Sequence, residues 1–399
     1  LSLLIALNLP LGGVLTATAA NLLASVIVRQ EDVINASFGL VARTPSSWPI
    51  GIRRVIGDFH HYGGVHIGCA VSSLLWYILF IVVHTVAFAR GGKATGLQWA
   101  DITTCYLFLL FILFICTTAI PGLRIRFHDS FEHTHRFGGW ASLLVLWINA
   151  AIRVHTDPTG ISLYAEPSIW LLSVTTLLII LPWLRIRRVP ITAERISTRE
   201  IKLTFPFTDM PYTSTARFSS SPLLQWHAFA TIPSPDGKTS SVIISAAGDW
   251  TSAIIAHPPL HLWLRYPPAS NFLSFALVFN SLLLVATGAG IGPLLSLLTS
   301  PTIANMKAKG KRVRVMWCVY DPYAEHWKFV VDAIRAVDAF PRIFDSRDGR
   351  PELAFEAQYL MQSEGVEACM CVSNLRVTEE VVSEVQGSGG VAYGAVFDS

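Results

Sequence analysis

Charge is scarce in this 399-residue chain: Asp, Glu, Lys and Arg together make up 14% of it, while apolar residues reach 52%. An ordinary soluble domain carries about 25% charged residues, so a purely water-facing protein is excluded and a membrane is indicated. The net charge of +3 is small, and no basic stripe interleaves with aromatics. That excludes a nucleic-acid partner. The six cysteines (Cys69, Cys105, Cys116, Cys318, Cys369, Cys371) are scattered, none at a zinc-like spacing. They read as reduced thiols in apolar surroundings, and no metal site is expected of them. The chain begins with Leu, not Met, so upstream residues are expected to be missing, and no cleavable signal peptide can be named.

The charge that exists is unevenly spread. Residues 1–190 hold 13 Lys/Arg and 8 Asp/Glu, residues 191–399 hold 17 and 19. Apolar runs at 3–28, 62–89, 98–120, 136–154 and 167–184 are each long enough for a membrane helix, which makes five spans. Assigning alternate loops collects Arg29, Arg43, Arg53, Arg54, Arg124, Arg126, Arg136, Arg185, Arg187 and Arg188 on one side, against Arg90, Lys93 and Arg153 on the other. The positive-inside rule puts the first group, and the polar half after it, in the cytosol. Histidines cluster as His60, His61, His66 and His84, and as His128, His133, His135 and His155. Pairs on neighbouring helices could ligate haem iron, although a His at a span end is more often an interfacial polar residue.

One uncharged run, Tyr266 to Met306, poses a choice between a sixth span and a folded soluble element. Within it "SLLLVATGAGIGPLLSLL" reads as a short strand, a glycine turn, Pro293 at a helix start, and a helix. Glycines there let backbone approach a diphosphate at a helix N-terminus. "KRVRVMWCVY" (311–320) and "GVEACMCVS" (365–373) supply further strands, as a strand–helix–strand unit requires. A span would also carry the acidic "AEHWKFVVDAIRAV" across the bilayer. The soluble reading is therefore preferred. Upstream, "LLQWHAFATIPSPDGKTSSVIISAAGDWTSAI" reads as strand, Pro/Asp-Gly hairpin and strand, suited to a small antiparallel barrel. His227 and Phe229 in it could hold a flavin by hydrogen bonding and stacking; the alternative is an ordinary strand with a half-buried aromatic.

The order of membrane bundle, W-H-x-F, Gly288-x-Gly290-x-x-Pro293 and Gly349-Arg350-Pro351 resembles the ferric reductase and NADPH oxidase superfamily, whose cytosolic part is like ferredoxin-NADP reductase. "VSN" at 372–374 and the ending "AYGAVFDS" look, more narrowly, like the fungal TmpA-type membrane flavoproteins. The resemblance spans nearly the whole chain. It implies an α-helical transmembrane bundle at 1–188, a β-barrel FAD domain at 189–268 and an α/β NAD(P)-binding domain at 269–399. The family's His-Pro-Phe-Thr flavin motif falls on His227, Ala228, Phe229 and Ala230, with two of its four positions changed. Gly288, Gly290, Ile291, Gly292 and Pro293 fall on the pyridine-nucleotide loop, Arg350 on a phosphate contact, and Cys371 near a cysteine that in relatives lies by the nicotinamide.

The bundle departs from that pattern. The superfamily's two haems need His pairs 13 or 14 residues apart on each of two helices; from His66 those steps reach Leu79 and Phe80, from His135 Ile148 and Asn149. The outer ligands are absent, leaving haem doubtful, with His66 and His135 as the pair for a single one. The expected function is a membrane-bound oxidoreductase passing electrons from NAD(P)H through FAD to a cytosolic or membrane-dissolved small-molecule acceptor, in developmental signalling if TmpA-like. The alternatives are a transmembrane haem reductase and a non-catalytic scaffold or sensor. Asp321, after the second strand, sits where an acid would bind an NAD ribose and repel an added phosphate, and Arg350 leans the other way. Some relatives are fused behind an adenylation enzyme, so a fused or separate adenylation domain is an expected partner, along with the bilayer.

Overall fold

A computed structural model describes residues 11–156 and 163–395, the side chains of Ile125, His128, Asp129 and Leu163 excepted. The chain divides into two compact units, Leu1–Gln30 with Tyr62–Leu184, and Glu31–His61 with Arg185–Ser399. The elements in chain order are first α1 (Leu11–Ile27), α2 (Glu31–Val41), α3 (Ile50–Gly57), α4 (Gly63–Arg90), α5 (Gly96–Thr118), α6 (Pro121–Arg126), α7 (His128–Thr156) and α8 (Pro167–Leu184).

The first unit is a bundle in which α1 packs on α4 and α8, and α5 on α4 and α7. Four of its helices, α4, α5, the Ser130–Thr156 part of α7, and α8, are long and apolar enough to cross a membrane. These match four of the five expected spans. The fifth, expected at 3–28, begins outside the described residues; its described part, α1, passes only when joined to α2, and the two are bent by 70°. Outward-facing side chains are apolar, Leu75, Leu110, Trp170 and Leu177 among them, while Thr18, Ser73, Asp101, Asn149 and Thr175 are buried. Hydrogen bonds cross between helices: Ser73 Oγ donates to Thr18 O at 3.0 Å, Tyr77 Oη to Cys105 O at 3.0 Å, and Trp147 Nε1 to Thr176 Oγ1 at 3.0 Å. Lipid cannot drive apolar helices together, so such contacts and close packing hold them.

The second unit begins with β1 (Ile186–Pro190), β2 (Thr192–Arg195), β3 (Glu200–Pro206), β4 (Ser214–Ser219), β5 (His227–Ala230), β6 (Ile232–Pro233), β7 (Thr239–Ser245), α9 (Asp249–Ala256) and β8 (His261–Ser270). They form two antiparallel sheets, ordered β1-β8-β4-β5 and β2-β3-β7-β6. Alternation along β3 buries Ile201, Leu203 and Phe205, and register pairs Ile201 with Ile244 and Leu203 with Val242 in the core between the sheets. The Pro/Asp-Gly hairpin forms as expected, with Gly237 at φ +67° and its N–H donating to Ser234 O.

There follow β9 (Ser281–Thr287), α10 (Ile291–Leu298), α11 (Pro301–Ala308), β10 (Arg312–Val319), α12 (Lys328–Val337), β11 (Arg342–Asp345), α13 (Leu353–Glu364), β12 (Ala368–Val372), α14 (Leu375–Gly387) and β13 (Val391–Gly394). The five strands make one parallel sheet, ordered β11-β10-β9-β12-β13. The uncharged run is thus no span: Leu282 to Ala286 form a fully buried central strand. Apolar helices followed by antiparallel sheets and a parallel α/β sheet is the fold class the sequence implies.

Segment 31–61, read from sequence as a loop between spans, groups with the second unit. Glu31 pairs with Arg217 and Arg265, Asn35 bonds the backbone at Pro268 and Ser270, and Arg53 pairs with Glu367.

Candidate functional site

The parallel sheet fixes where a ligand can bind. Connections leave β9 toward β10 on one side and reach β12 on the other, so strand order reverses between β9 and β12, and open α/β sheets bind ligands at the carboxyl ends of such strands. At this point Thr287 and Ser373 join their hydroxyls across the two strand ends. β9 runs into a tight turn, Gly288–Gly290, that opens α10. Gly288 has φ +50°, where a side chain is strained. Gly290 lies against β12: a Cβ there would sit 2.3 Å from Val372 O. Trp317 Nε1 donates to Gly288 O at 3.1 Å and holds the turn. No side chain caps the start of α10, where Ile291 N–H turns back to Gly288 O and Pro293 at the third helical position has no N–H to satisfy, and the helix dipole favours an anionic group at this end.

The antiparallel sheets lie beside this turn. Thr213 N donates to Ser296 Oγ of α10 at 2.8 Å, and a Cβ on Gly292 would meet Ile243 Cβ at 3.7 Å. On β5, His227 and Phe229 point to one face because strand side chains alternate. Both half-buried rings stack on Trp250, His227 at 4.1 Å between centroids and 20° between planes, Phe229 at 5.9 Å and 21°. Trp250 is itself held by a 3.0 Å bond from Nε1 to Ser220 Oγ, and Thr251 Oγ1 accepts from Ala247 N and Gly248 N at the start of α9. The result is a shelf of parallel rings, the surface a planar heteroaromatic ring system stacks on. Sequence reasoning gave Trp250 no role and expected a strand to run into Gly-Asp-Trp-Thr; β7 instead stops at Ser245 and Asp249 opens α9, whose first turn carries the indole to the rings of β5.

At the far ends of β10 and β11 the expected Asp321 is not alone. Arg347 Nη2 donates to Asp321 Oδ1 at 2.9 Å and also grips Asp345, whose carboxyl it holds down to about 2. Arg347 also lies 5.6 Å from the Tyr320 ring centre. Sequence reasoning missed it: the signal was a second arginine beside Arg350 in "DSRDGRP". Arg350 is exposed in the turn after Gly349 (φ +115°), and its charge acts on Cys318 near the end of β10. Cys371 is fully buried among Leu283, Val285, Val381 and Ala392 side chains, and burial pushes its thiol up to about 12. It presents no thiolate to a ligand.

In the bundle the structure brings His66 and His135 together, ring centres 6.2 Å apart, with His66 Nδ1 2.8 Å from Ser25 O. His84 Nε2 lies 3.0 Å from Asp101 Oδ2, and the other carboxylate oxygen accepts from Asn149 Nδ2 at 2.7 Å. With Cys105, His84 and Asp101 set three ligand-type atoms within 4.8 Å of one another, though the Asn149 amide already engages the carboxylate.

Residues 272–399 match the family model for the C-terminal domain of adenylate-forming reductase 03009. Over 395 residues, 98% of its length, the chain is 36% identical to adenylate-forming reductase 03009 of Coprinopsis cinerea, and over 396 residues it is 34% identical to adenylate-forming reductase 06235 of the same fungus. The chain spans 37% of the length of each of these relatives and is a homologue of that part of them. Among solved structures, a ferredoxin NADP+ reductase from Neisseria gonorrhoeae with bound FAD and NADP is similar over 53% of this chain and 98% of its own, with TM-score 0.42 and 14% identity. A flavohemoglobin from Malassezia yamatoensis is similar over 92% of this chain and 98% of its own, with TM-score 0.44 and 13% identity.

Proposed function

We propose that this chain is a membrane-held flavin reductase: NAD(P)H delivers reducing equivalents to FAD, and FAD passes them to a small-molecule acceptor. The observation that carries the reading is the meeting, within one unit, of the His227–Trp250 ring shelf and the Gly288–Gly290 turn at the strand-order reversal. The domains we assign are a membrane bundle at 1–188, an FAD barrel at 189–268 and a nucleotide domain at 269–399, with segment 31–61 clamped to the last two. The names of the homologous reductases support the class of reaction.

The residues fit both cofactors. His227, Phe229 and Trp250 would hold the flavin ring; the glycine turn at 288–290 and the uncapped start of α10 would take a pyrophosphate; Arg350 would approach phosphate. Flavin supplies the redox chemistry when bound. The protein's part is to orient the two rings and keep water from between them. Arg347, tied to Asp321 and Asp345, tempers the repulsion those acids would exert on a 2′-phosphate, so the site serves NADH and NADPH with little preference. Cys371 takes no part, since its thiol is buried.

By the positive-inside pattern the reductase unit faces the cytosol, and by homology to a third of two adenylate-forming reductases it works with an adenylation domain, fused or separate. The product of that partner would then be the natural acceptor. A TmpA-type role in developmental signalling is the narrower reading. The test is flavin content and anaerobic reduction by NADH and NADPH of the detergent-purified protein. Trp250→Ala should lower flavin retention, and Gly290→Ala should leave flavin bound but unreduced by nucleotide. A protein that binds no flavin, or binds it without nucleotide reduction, would favour the scaffold reading.

A second reading rests on His66 and His135, whose spacing suits one haem between two helices. A Soret band lost in His66→Ala and His135→Ala would establish it.

A further inference from the structure

Between the first two apolar helices of the bundle the chain makes a detour, 31–61, whose second half has two unlike faces. Its inward face is polar and fully used. Arg53, 4% exposed, donates to Glu367 at 2.8 Å, to Val278 O at 3.0 Å and to Trp48 O at 2.7 Å. Gly57 lies under Tyr393, where a Cβ would come within 2.3 Å of the hydroxyl, and Tyr393 Oη donates to Arg54 O. His60 is buried against Tyr393 and Phe272.

The outward face is the reverse. Ile52 is 48% exposed, Val55 71% and Phe59 39%, at helical intervals of three and four, with Trp48 47% exposed just before the helix. On the far side of a helix gripped by Arg53, Gly57 and His60, Ile52 and Val55 are left largely open, and Phe59, which touches the Phe38 ring edge-on at 5.8 Å, extends the same stripe. Its position in the chain names the occupant. Gly63, where a 28-residue apolar helix begins, is four positions on from Phe59. Fully extended, that length reaches about 14 Å. The stripe therefore lies at the bilayer edge if α4 spans it. The charges agree: from 40 to 61 Asp58 is the only acid, against Arg43 and Arg54 with Arg53 taken up by Glu367, and Trp48 is a residue type that settles at the interface.

We propose that Trp48, Ile52, Val55 and Phe59 form an interfacial lipid-binding face that anchors the reductase unit to an anionic bilayer surface. The inference rests on the membrane reading of α4 and not on the flavin chemistry. Arg53 and Tyr393 make the anchor continuous with the edge of the parallel sheet, since Glu367 directly precedes β12 and Tyr393 lies in β13.

The test is spin labelling of the full chain in nanodiscs containing anionic lipid, with single cysteines at 51, 52, 54, 55 and 59 and a control at Leu75, on the outside of α4. Power saturation compares collision with oxygen, which concentrates in lipid, and with a water-soluble nickel chelate. The expected result is oxygen-dominated collision at 52, 55 and 59 and nickel-dominated collision at 51 and 54, a sign change of the depth parameter with helical period. Nickel-dominated collision at 52 and 55 would overturn the proposal. Shielding from both reagents, the mark of a protein partner or a second copy, would overturn it too. Nickel access at position 75 would instead remove the membrane reading itself.

Discussion

The two units of this chain solve burial in opposite ways. In the bundle the outward faces carry Leu75, Leu110 and Leu177, and the buried positions include Thr18, Ser73, Asp101 and Asn149. In the reductase unit the parallel sheet buries Leu282 to Ala286 and Ala368 to Val372 almost without a polar side chain, and the paired charges Arg347, Asp321 and Asp345 lie at its surface. Water drives the second arrangement by expelling apolar area. Lipid offers no such drive, so helices in the first meet through hydrogen bonds that the surroundings cannot supply. The lesson is that one polar side chain matters more in the bundle, and one methyl group more in the sheet.

The largest effect expected from that contrast is at Asp101. Asp101→Ala leaves His84 and Asn149 without their shared partner, at a cost of about 4 kcal/mol. Thermal unfolding in detergent should shift strongly while NAD(P)H-driven reduction of a soluble dye by the remaining folded protein is unchanged. A small shift would mean the bundle is held by packing alone.

Next comes His60, where the reductase unit breaks its own rule by burying an ionisable ring. Burial, helped by the neighbouring His61, lowers its pKa from 6.5 to about 4, against the Gly57 carbonyl and Asp58. The neutral ring is the folded form, so its contribution is full above pH 6.5 and is lost as pH falls toward 4, on the order of 3 kcal/mol in all. Stability against pH should flatten over that window in His60→Leu.

A smaller effect is expected at Gly290. One added methyl in Gly290→Ala meets Val372 O and should cost about 2 kcal/mol. Nucleotide reduction of flavin should fall while flavin content holds. Smallest is Trp250→Ala, which removes one stacked ring and should weaken FAD binding by about 1 kcal/mol, roughly fivefold in Kd by flavin titration.

What could be read from the sequence follows the same divide. Period and spacing are local, so the strand, glycine turn and helix at 281–298 and four of the apolar helices were legible, as was the Asp-Gly hairpin. Contacts between residues far apart were not. Glu31 and Arg217 stand 186 positions from each other, and nothing local in 31–61 reveals that it clamps the reductase unit. Arg347 was hidden for a related reason: Asp345 ends β11 while Asp321 lies two residues past the end of β10, and only the parallel register that sets Val319 level with Asp345 brings the two acids near each other. Cys371 stood at a suggestive position, but its pleat direction, not its place in the motif, decides that it faces the core.

The central claim is that a nicotinamide cofactor bound at the 288–293 turn reduces a flavin held on the His227–Trp250 shelf. The most direct measurement is the anaerobic absorption spectrum of the detergent-purified chain before and after one equivalent of NADH or NADPH, with dithionite as the reference for full reduction. The account predicts oxidised flavin bands that bleach with nucleotide to the dithionite level, and that fail to bleach with nucleotide in Gly290→Ala. Flavin reduced by dithionite alone in the unmodified protein, or no flavin at all, would contradict it.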